Sequence, residues 1–201
     1  MKISRLPSFV AVVAALAAGT ALGCTGTSPY MAPTTHSAIE TVPEMATVVF
    51  ARPSTFGGGA DRVTIIDGKG RFLGDTLPGT YFAVKMPPGE HMFISWGETT
   101  SAVKATVTGG KVYFVEAFSP TGPGTPRLSL RAVTLRSPAY GKTEEWMTRA
   151  TPLMPAEDRG QAYLQADASG TQSAIANGTK TYAGYGPTEL PDHTLAAEDG
   201  K

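Results

Sequence analysis

Cys24 is the only cysteine in this chain of 201 residues, and the residues before it have the order of a targeting segment. Lys2 and Arg5 give a positive start, and an uncharged run rich in Val, Ala and Leu extends from Phe9 to Leu22. The run has about 14 residues, whereas a membrane-spanning helix needs about 20. The pattern therefore predicts a signal peptide over residues 1–23, with the thiol of Cys24 as a candidate for modification.

The last residues of this segment resemble the lipobox of bacterial lipoproteins. Gly23 and Cys24 match the usual pattern, whereas Ala21 and Leu22 stand in the reverse of the usual order. The resemblance implies cleavage between Gly23 and Cys24, followed by membrane attachment through a lipid on the Cys24 sulfur. Thr25, where an aspartate would be an inner-membrane signal, favours the outer membrane. An ordinary secretory signal with a free thiol and a retained membrane anchor stay open as alternatives.

Glu90 and His91 follow Pro87-Pro88-Gly89 and could serve as an acid–base pair or as metal ligands. Adjacent residues of a strand point to opposite faces, so their side chains do not easily converge on one ion. Zinc also needs three or four ligands, and no second histidine stands at ligand spacing. We therefore interpret this motif as a hairpin turn, with His91 beside Phe93 on one strand face.

Other catalytic patterns are weak. The chain contains no G-x-S-x-G sequence, which a serine nucleophile of the hydrolase type would require. Asp192 and His193 form a tempting dyad, but they lie in a polar segment, and we interpret them as a surface pair. Glu144 and Glu145 are neighbours on a predicted helix and therefore point in different directions. We predict no catalytic residues, no metal site and no cofactor.

Three aromatic residues are candidates for ligand contact if they lie at a loop end or on a sheet face: Tyr81, Trp96 and Tyr113. Such rings can form a platform for a sugar or a peptide, although large aromatic residues more often pack in a core. Exposure of these rings would support a binding module, and full burial would oppose it.

The charge of the chain is balanced. Lys2 and Arg5 lie in the signal peptide, so the mature chain keeps 15 of the 17 basic residues against 17 acidic ones, a formal charge of −2. This balance argues against a nucleic-acid partner, which would select a basic surface.

The composition divides the mature chain into four parts. Residues 24–44 are rich in Thr, Ser, Ala and Pro and predict a lipidated cysteine followed by a flexible tether. Residues 45–136 contain short β-branched and aromatic runs about ten residues apart, separated by Gly and Pro. This pattern predicts an all-β domain, an antiparallel sandwich of seven or eight short strands.

The residues after the β-rich part have a different pattern. Residues 137–186 predict a helical extension of one or two imperfect helices, interrupted by glycines. We expect this extension to pack on an open face or end of the sandwich through Trp146, Leu164 and Ile175. Residues 187–201 predict an extended or mobile tail.

Residues 46 to about 135 resemble a family of small bacterial lipoprotein domains of unknown function. The similarity rests on four segments: 49–53, 66–82, 87–91 and 110–115. Residues 194–200 also resemble the ending of such proteins. The resemblance implies a sandwich of transthyretin-like or carboxypeptidase-regulatory-like shape, and it supplies no functional residues.

These observations lead to one expectation and two alternatives. We expect a lipid-anchored protein of the bacterial cell envelope with a structural or binding role and without catalysis, held to the membrane through Cys24. The first alternative is a carbohydrate- or peptide-binding module. The second is an envelope hydrolase whose site the motifs do not reveal, which a pocket with convergent Asp, Glu or His side chains would support.

Overall fold

The computed structural model describes residues 27–35, 39–53, 62–97, 99–119 and 128–201. Gly23 and Cys24, the predicted cleavage and lipidation residues, lie outside these ranges. The described strands are β1 (Met31–Pro33), β2 (Ala46–Arg52), β3 (Val63–Asp67), β4 (Phe72–Thr76), β5 (Thr80–Met86), β6 (Gly89–Trp96), β7 (Ser101–Val107), β8 (Val112–Phe118), β9 (Ser129–Ala132), β10 (Thr151–Pro155) and β11 (Thr194–Leu195). The described α-helices are α1 (Thr143–Arg149), α2 (Glu157–Ala166) and α3 (Ala168–Gly184). Short 3-10 turns occupy Tyr140–Lys142, Leu190–His193 and Ala197–Asp199.

The β-rich character of the chain is confirmed. Strands β2 to β9 all fall within residues 45–136, where the spacing of β-branched and aromatic runs predicted seven or eight strands. The strands form two sheets. Sheet 1 has the order β1-β10-β5-β2-β8-β9, and sheet 2 has the order β11-β7-β6-β3-β4.

The prediction of purely antiparallel sheets is wrong, because both sheets are mixed. Parallel pairs join β2 to β8, β5 to β10 and β7 to β11. Hairpins force consecutive strands to be antiparallel, but a parallel pair needs a long crossover connection. Here β3 to β7 intervene between β2 and β8, and helices precede β10 and β11, so each parallel pair has such a connection.

The inner faces of the two sheets share a hydrophobic core. The ring of Phe50 in sheet 1 packs edge-on against Phe93 in sheet 2, with centroids 5.1 Å apart, and it stacks on Phe82 at the same distance. Gly74 in β4 has φ +155°, and a β-carbon there would lie 2.6 Å from the Phe82 ring. This glycine therefore allows the close approach of sheet 2 to an aromatic side chain of sheet 1.

Helices α2 and α3 cover the outer face of sheet 2. Helix α2 contacts β4, and α3 contacts β6 and β7. Gly160 and Gly178 would weaken isolated helices, but each lies directly against a side chain of the sheet. A β-carbon would lie 2.1 Å from the Phe72 ring at Gly160 and 2.8 Å from the Ile94 side chain at Gly178. The glycines in this segment therefore serve helix–sheet packing.

The three predicted docking residues of the extension pack on two different faces. Leu164 is buried, and Ile175 is half-buried, against the large core cluster that includes sheet 2. Trp146 in α1 packs on the outer face of sheet 1, against a second cluster that includes Val49 and Phe114. The helical segment therefore adds a layer to each side of the paired sheets.

The predicted tether is partly built into the fold. Met31–Pro33 pairs antiparallel with β10, and Met31 is buried. The backbone N–H of Ala156 donates to the Tyr30 carbonyl oxygen at 2.8 Å. Without β1, the edge of β10 would have unpaired backbone groups. Strand β1 pairs with them and buries Met31, although the sequence around it is rich in Pro and Thr.

The predicted mobile tail is also packed in the structure. Leu195 is buried and belongs to β11, which extends sheet 2 beyond β7. The backbone groups of Lys201 and Val112 exchange two hydrogen bonds of 3.0 Å. The buried carboxylate of Asp199 accepts hydrogen bonds from the backbone N–H groups of Leu135 and Ala196, each at 2.8 Å. Tertiary hydrogen bonds thus order a segment whose composition is polar.

Candidate functional site

Two of the three predicted ligand-contact residues are buried. Tyr81 is 6% exposed, and burial raises the pKa of its phenol. Tyr113 is fully buried, and its hydroxyl oxygen lies 3.0 Å from the Ala197 carbonyl oxygen, to which it donates. Both rings pack in the core, and this burial opposes the prediction that they contact a ligand.

Trp96, the third candidate, is half-exposed and belongs to a group of aromatic side chains. Its ring stacks on Tyr163 of α2 at 5.9 Å, and Tyr163 stacks on Tyr30 at 4.9 Å. The guanidinium of Arg62 lies over both tyrosines, 5.0 Å from the Tyr30 centroid and 5.5 Å from the Tyr163 centroid. We call Tyr30, Arg62, Asp75, Trp96 and Tyr163 the aromatic–arginine cluster.

Asp75 orients the cationic end of this cluster. Its side chain is fully buried, and Arg62 Nη1 lies 3.5 Å from Asp75 Oδ2. The Thr64 hydroxyl donates to Asp75 Oδ1 at 2.8 Å, and the Ser28 hydroxyl donates to Oδ2. A buried carboxylate is costly unless it is paired and hydrogen-bonded, and these three partners meet that requirement. The ion pair and the hydrogen bonds hold the N-terminal segment and Arg62 against sheet 2.

The side chains that the cluster exposes are aromatic rings and a guanidinium. The cluster offers half-exposed ring faces and edges, together with a guanidinium whose side chain is 30% exposed. The sequence interpretation named Trp96 but missed Tyr30, Arg62, Asp75 and Tyr163. Asp75 was detectable in principle, because an acidic residue inside a short apolar strand needs a buried partner.

A second feature is an open cleft around the Pro87–His91 turn. The cleft has a volume of about 470 Å³, and its walls include Asp67, Lys69, Glu90 and His91. It therefore brings together the kind of Asp, Glu and His side chains that a hydrolase would use.

The titratable groups of this cleft already have structural partners. Asp67 Oδ1 accepts from the backbone N–H groups of Lys69 and Arg71, each at 2.8 Å. His91 Nε2 lies 2.8 Å from the Pro87 carbonyl oxygen. Glu90 Oε2 lies 3.2 Å from Lys104 Nζ. These contacts fit the interpretation of the motif as a stabilised turn.

His193 is not the surface residue that the sequence predicted. Its side chain is buried, its ring stacks on Tyr185, and its Nδ1 lies 3.2 Å from the Ala102 carbonyl oxygen. Asp192 remains exposed, and the hydrogen-bond partner of His193 Nδ1 is the Ala102 carbonyl oxygen rather than the Asp192 carboxylate. Burial lowers the pKa of His193, while the hydrogen bond to Ala102 and the nearby carboxylates of Asp192 and Glu189 act in the opposite direction.

The acidic pair Glu144 and Glu145 lies on exposed positions of α1, and Glu145 forms a 2.9 Å ion pair with Arg149 one turn later. Among the described residues, no three His, Cys, Asp or Glu side chains are placed to hold a metal ion. No helix in the described ranges is long and apolar enough to cross a membrane. Comparisons of the chain with protein families, with curated proteins and with solved structures found no match.

Proposed function

We propose that this chain is a lipid-anchored protein of the bacterial cell envelope, with a binding or structural role and without catalysis. The observation that carries the proposal is Cys24, the single thiol, which directly follows an apolar segment that resembles a lipoprotein signal. Two acyl chains or more give stable membrane attachment, whereas one gives marginal attachment. The proposed location is the outer membrane, with the folded part facing the periplasm.

For the small bacterial lipoprotein domains that the sequence resembles, a transthyretin-like or carboxypeptidase-regulatory-like sandwich is the expected shape. Two sheets share one core, centred on Phe50 and Phe93. The additional strands β1, β10 and β11 extend this arrangement at the sheet edges. We propose that the folded domain is such a sandwich and that the lipid on Cys24 holds it at the periplasmic face of the membrane.

The contacts in the His91 cleft support a non-catalytic role. A general base or nucleophile must be free to exchange a proton or attack a substrate. Asp67 and Glu90 are instead engaged with backbone N–H groups and with Lys104. A hydrolase reaction in this cleft would need these groups to leave their present partners.

The anchor is tested by Cys24→Ser in the native host. We expect the variant to lose labelling by radioactive palmitate and to leave the membrane fraction or to remain as the unprocessed precursor. Thr27 is exposed and close to Cys24, so Thr27→Ser is the matched control. It should show the same labelling and membrane attachment as the parent. Unchanged membrane partition and unchanged mature mass in Cys24→Ser would contradict the proposal.

A second candidate function is a carbohydrate- or peptide-binding module that uses the His91 cleft. The observation that favours it is an open volume of about 470 Å³ with both basic and acidic walls, which suits short zwitterionic ligands. Titration of muropeptides and short peptides into the purified chain by calorimetry tests it. Binding should weaken in Lys69→Ala and persist in Lys180→Ala, a control on the exposed side of α3. Equal binding by both variants, or none by the parent, would exclude the cleft.

A further inference from the structure

The domain begins very close to the proposed lipid anchor. Only Thr25, Gly26 and Thr27 separate Cys24 from Ser28, whose hydroxyl contacts the buried carboxylate of Asp75. A fully extended chain spans at most about 3.3–3.6 Å per residue, so Ser28 lies within about 14 Å of the lipidated residue in any conformation. This short connection replaces the tether of about twenty residues that the composition predicted.

The contacts after Ser28 fix which side of the domain is near the anchor. Tyr30 stacks on Tyr163 of α2 and packs edge-on against Phe72 at 6.1 Å. Met31 pairs with Pro155 at the edge of sheet 1. Ser28 and Tyr30 are thus attached to β4, β10 and α2, and the domain cannot turn another side to the anchor without breaking these contacts.

The dimensions of a bilayer then limit the space between the domain and the lipid. A bilayer is about 40–45 Å thick with its headgroups and about 30 Å without them, so each headgroup layer is about 5–7 Å. With Cys24 at the base of this layer, Ser28 can therefore stand at most about 7–9 Å above the headgroups. We propose that the side of the domain formed by the aromatic–arginine cluster rests on the phospholipid headgroups of the leaflet that holds the Cys24 lipid. This inference depends on the proposed lipidation of Cys24.

The chemistry of the cluster fits a headgroup layer. Tyr and Trp are the aromatic residues enriched at membrane–water interfaces, because each combines an apolar ring with a polar group. Tyr30, Trp96 and Tyr163 are all half-buried, so each ring keeps an accessible edge. Arg62 has five N–H donors, and its contact with Asp75 at 3.5 Å leaves donors for lipid phosphate groups.

Helix α1 lies on the other side of the molecule. It covers the outer face of sheet 1, whereas the aromatic–arginine cluster lies on the outer side of sheet 2. Facing sheets pack about 10 Å apart, so two sheet layers separate α1 from the cluster. The exposed residues of α1, including Glu144, would therefore face the periplasm.

A pair of spin labels tests this orientation, because the chain has only one native cysteine and lipidation blocks it. In Ala166→Cys the label stands on the exposed surface of α2, about one turn after Tyr163, and in Glu144→Cys it stands on the exposed surface of α1. Both proteins are made with their native signal, purified with the lipid attached and placed in phosphatidylethanolamine–phosphatidylglycerol vesicles. A nickel-chelating lipid then relaxes any nitroxide that is near the headgroups.

We expect the nickel lipid to enhance the relaxation of the label at residue 166 several-fold more than that of the label at residue 144. A second pair, Arg159→Cys and Thr148→Cys, repeats the comparison on the same two helices. Equal relaxation at both positions, or greater relaxation on α1, would overturn the proposed orientation while lipidation stands. Labelling of the parent protein at Cys24 would instead show a free thiol, which would overturn the proposed anchor and this inference with it.

Discussion

His193 and Tyr185 are stacked, with ring centroids 3.8 Å apart and ring planes 11° from parallel. The Tyr185 hydroxyl oxygen is within 3.4 Å of the Ala102 backbone nitrogen, and His193 Nδ1 approaches the Ala102 carbonyl oxygen. These two rings therefore attach the segment after α3 to strand β7. His193 is buried by this contact, and because burial disfavours its charged form, protonation of the ring opposes folding.

The first prediction is a loss of stability in mild acid. Because burial lowers the pKa of His193 in the folded state, the unfolded chain binds its proton more readily. The stabilising effect of the neutral ring is complete above the ordinary histidine pKa of about 6.5, and it falls as the pH drops from there towards the lower folded-state pKa. Melting temperatures measured between pH 7.5 and 5 should decrease over this window.

Two variants separate His193 from the rest of the protein. His193→Phe keeps a ring to stack on Tyr185 and cannot be protonated, so its melting temperature should depend less on pH over this window. His91→Gln is the matched control and should retain the dependence that His193 causes. An identical pH profile in the parent and in His193→Phe would show that this histidine does not couple folding to protons.

The second prediction concerns the packing of α3. In Gly178→Ala the new methyl group would lie 2.8 Å from the Ile94 side chain. Overpacking costs about 1–3 kcal/mol, whereas alanine improves helix propensity by about 1 kcal/mol, so we expect a net loss of about 1 kcal/mol. Urea denaturation gives the free energy of unfolding for the comparison.

Gly184 is the matched control, because it lies at the end of the same helix and a β-carbon there meets nothing within 4 Å. Gly184→Ala should leave the stability unchanged or raise it slightly. If Gly178→Ala is as stable as Gly184→Ala, α3 does not pack closely against the Ile94 side chain at Gly178.

The sequence predicted the central strands because these strands are long enough to show a pattern of β-branched and aromatic residues. Seven-residue runs such as 46–52 and 112–118 combine β-branched and aromatic residues, and turns with Gly and Pro mark their ends. Residues 137–186 were predicted to be helical, and they contain α1, α2 and α3, but strand β10 (Thr151–Pro155) between α1 and α2 was not predicted. Local composition is sufficient where an element is long and its connections are short.

The edges of the sheets could not be predicted in the same way. β1 has three residues and β11 has two, too few to show a period of two. These two short strands form because they pair with the backbone groups of β10 and β7. Such pairing between distant segments leaves no pattern in the local sequence. The aromatic–arginine cluster was missed for the same reason, because Tyr30, Arg62 and Tyr163 are far apart in the chain and meet only after β1 has docked.

The third prediction concerns Asp199 in the C-terminal segment. Asp199→Ala would remove the acceptor for the backbone N–H groups of Leu135 and Ala196. The loss of a charged acceptor for such donors costs about 1–3 kcal/mol. We expect a loss of that size in urea denaturation, together with faster hydrogen exchange at Leu135 and Ala196.

Glu198→Ala is the matched control, because Glu198 is the neighbouring acid and is exposed. It should change stability by a few tenths of a kcal/mol at most, as is typical of surface substitutions. Equal effects of Asp199→Ala and Glu198→Ala would mean that the C-terminal segment is not part of the cooperative fold.

The last prediction is that a chain ending at Ser137 does not fold. This truncation removes β10 from between β1 and β5, removes β11 from the edge of sheet 2, and removes the helices that cover its outer face. Ile94 and Phe72, both nearly fully buried now, would be exposed to water, and burial of such a side chain is worth about 1.5–3 kcal/mol. Exposure of these two side chains costs about 3–6 kcal/mol, and the lost pairing of β10 and β11 adds to that cost. A domain is stable by only about 5–15 kcal/mol, so we expect the remaining strands not to fold alone. Circular dichroism and proton NMR of the truncated chain should show no cooperative unfolding, and co-expression with residues 138–201 as a separate fragment should restore it. A truncated chain that unfolds cooperatively on its own would instead show that the strands form an independent domain with the helical segment attached to it.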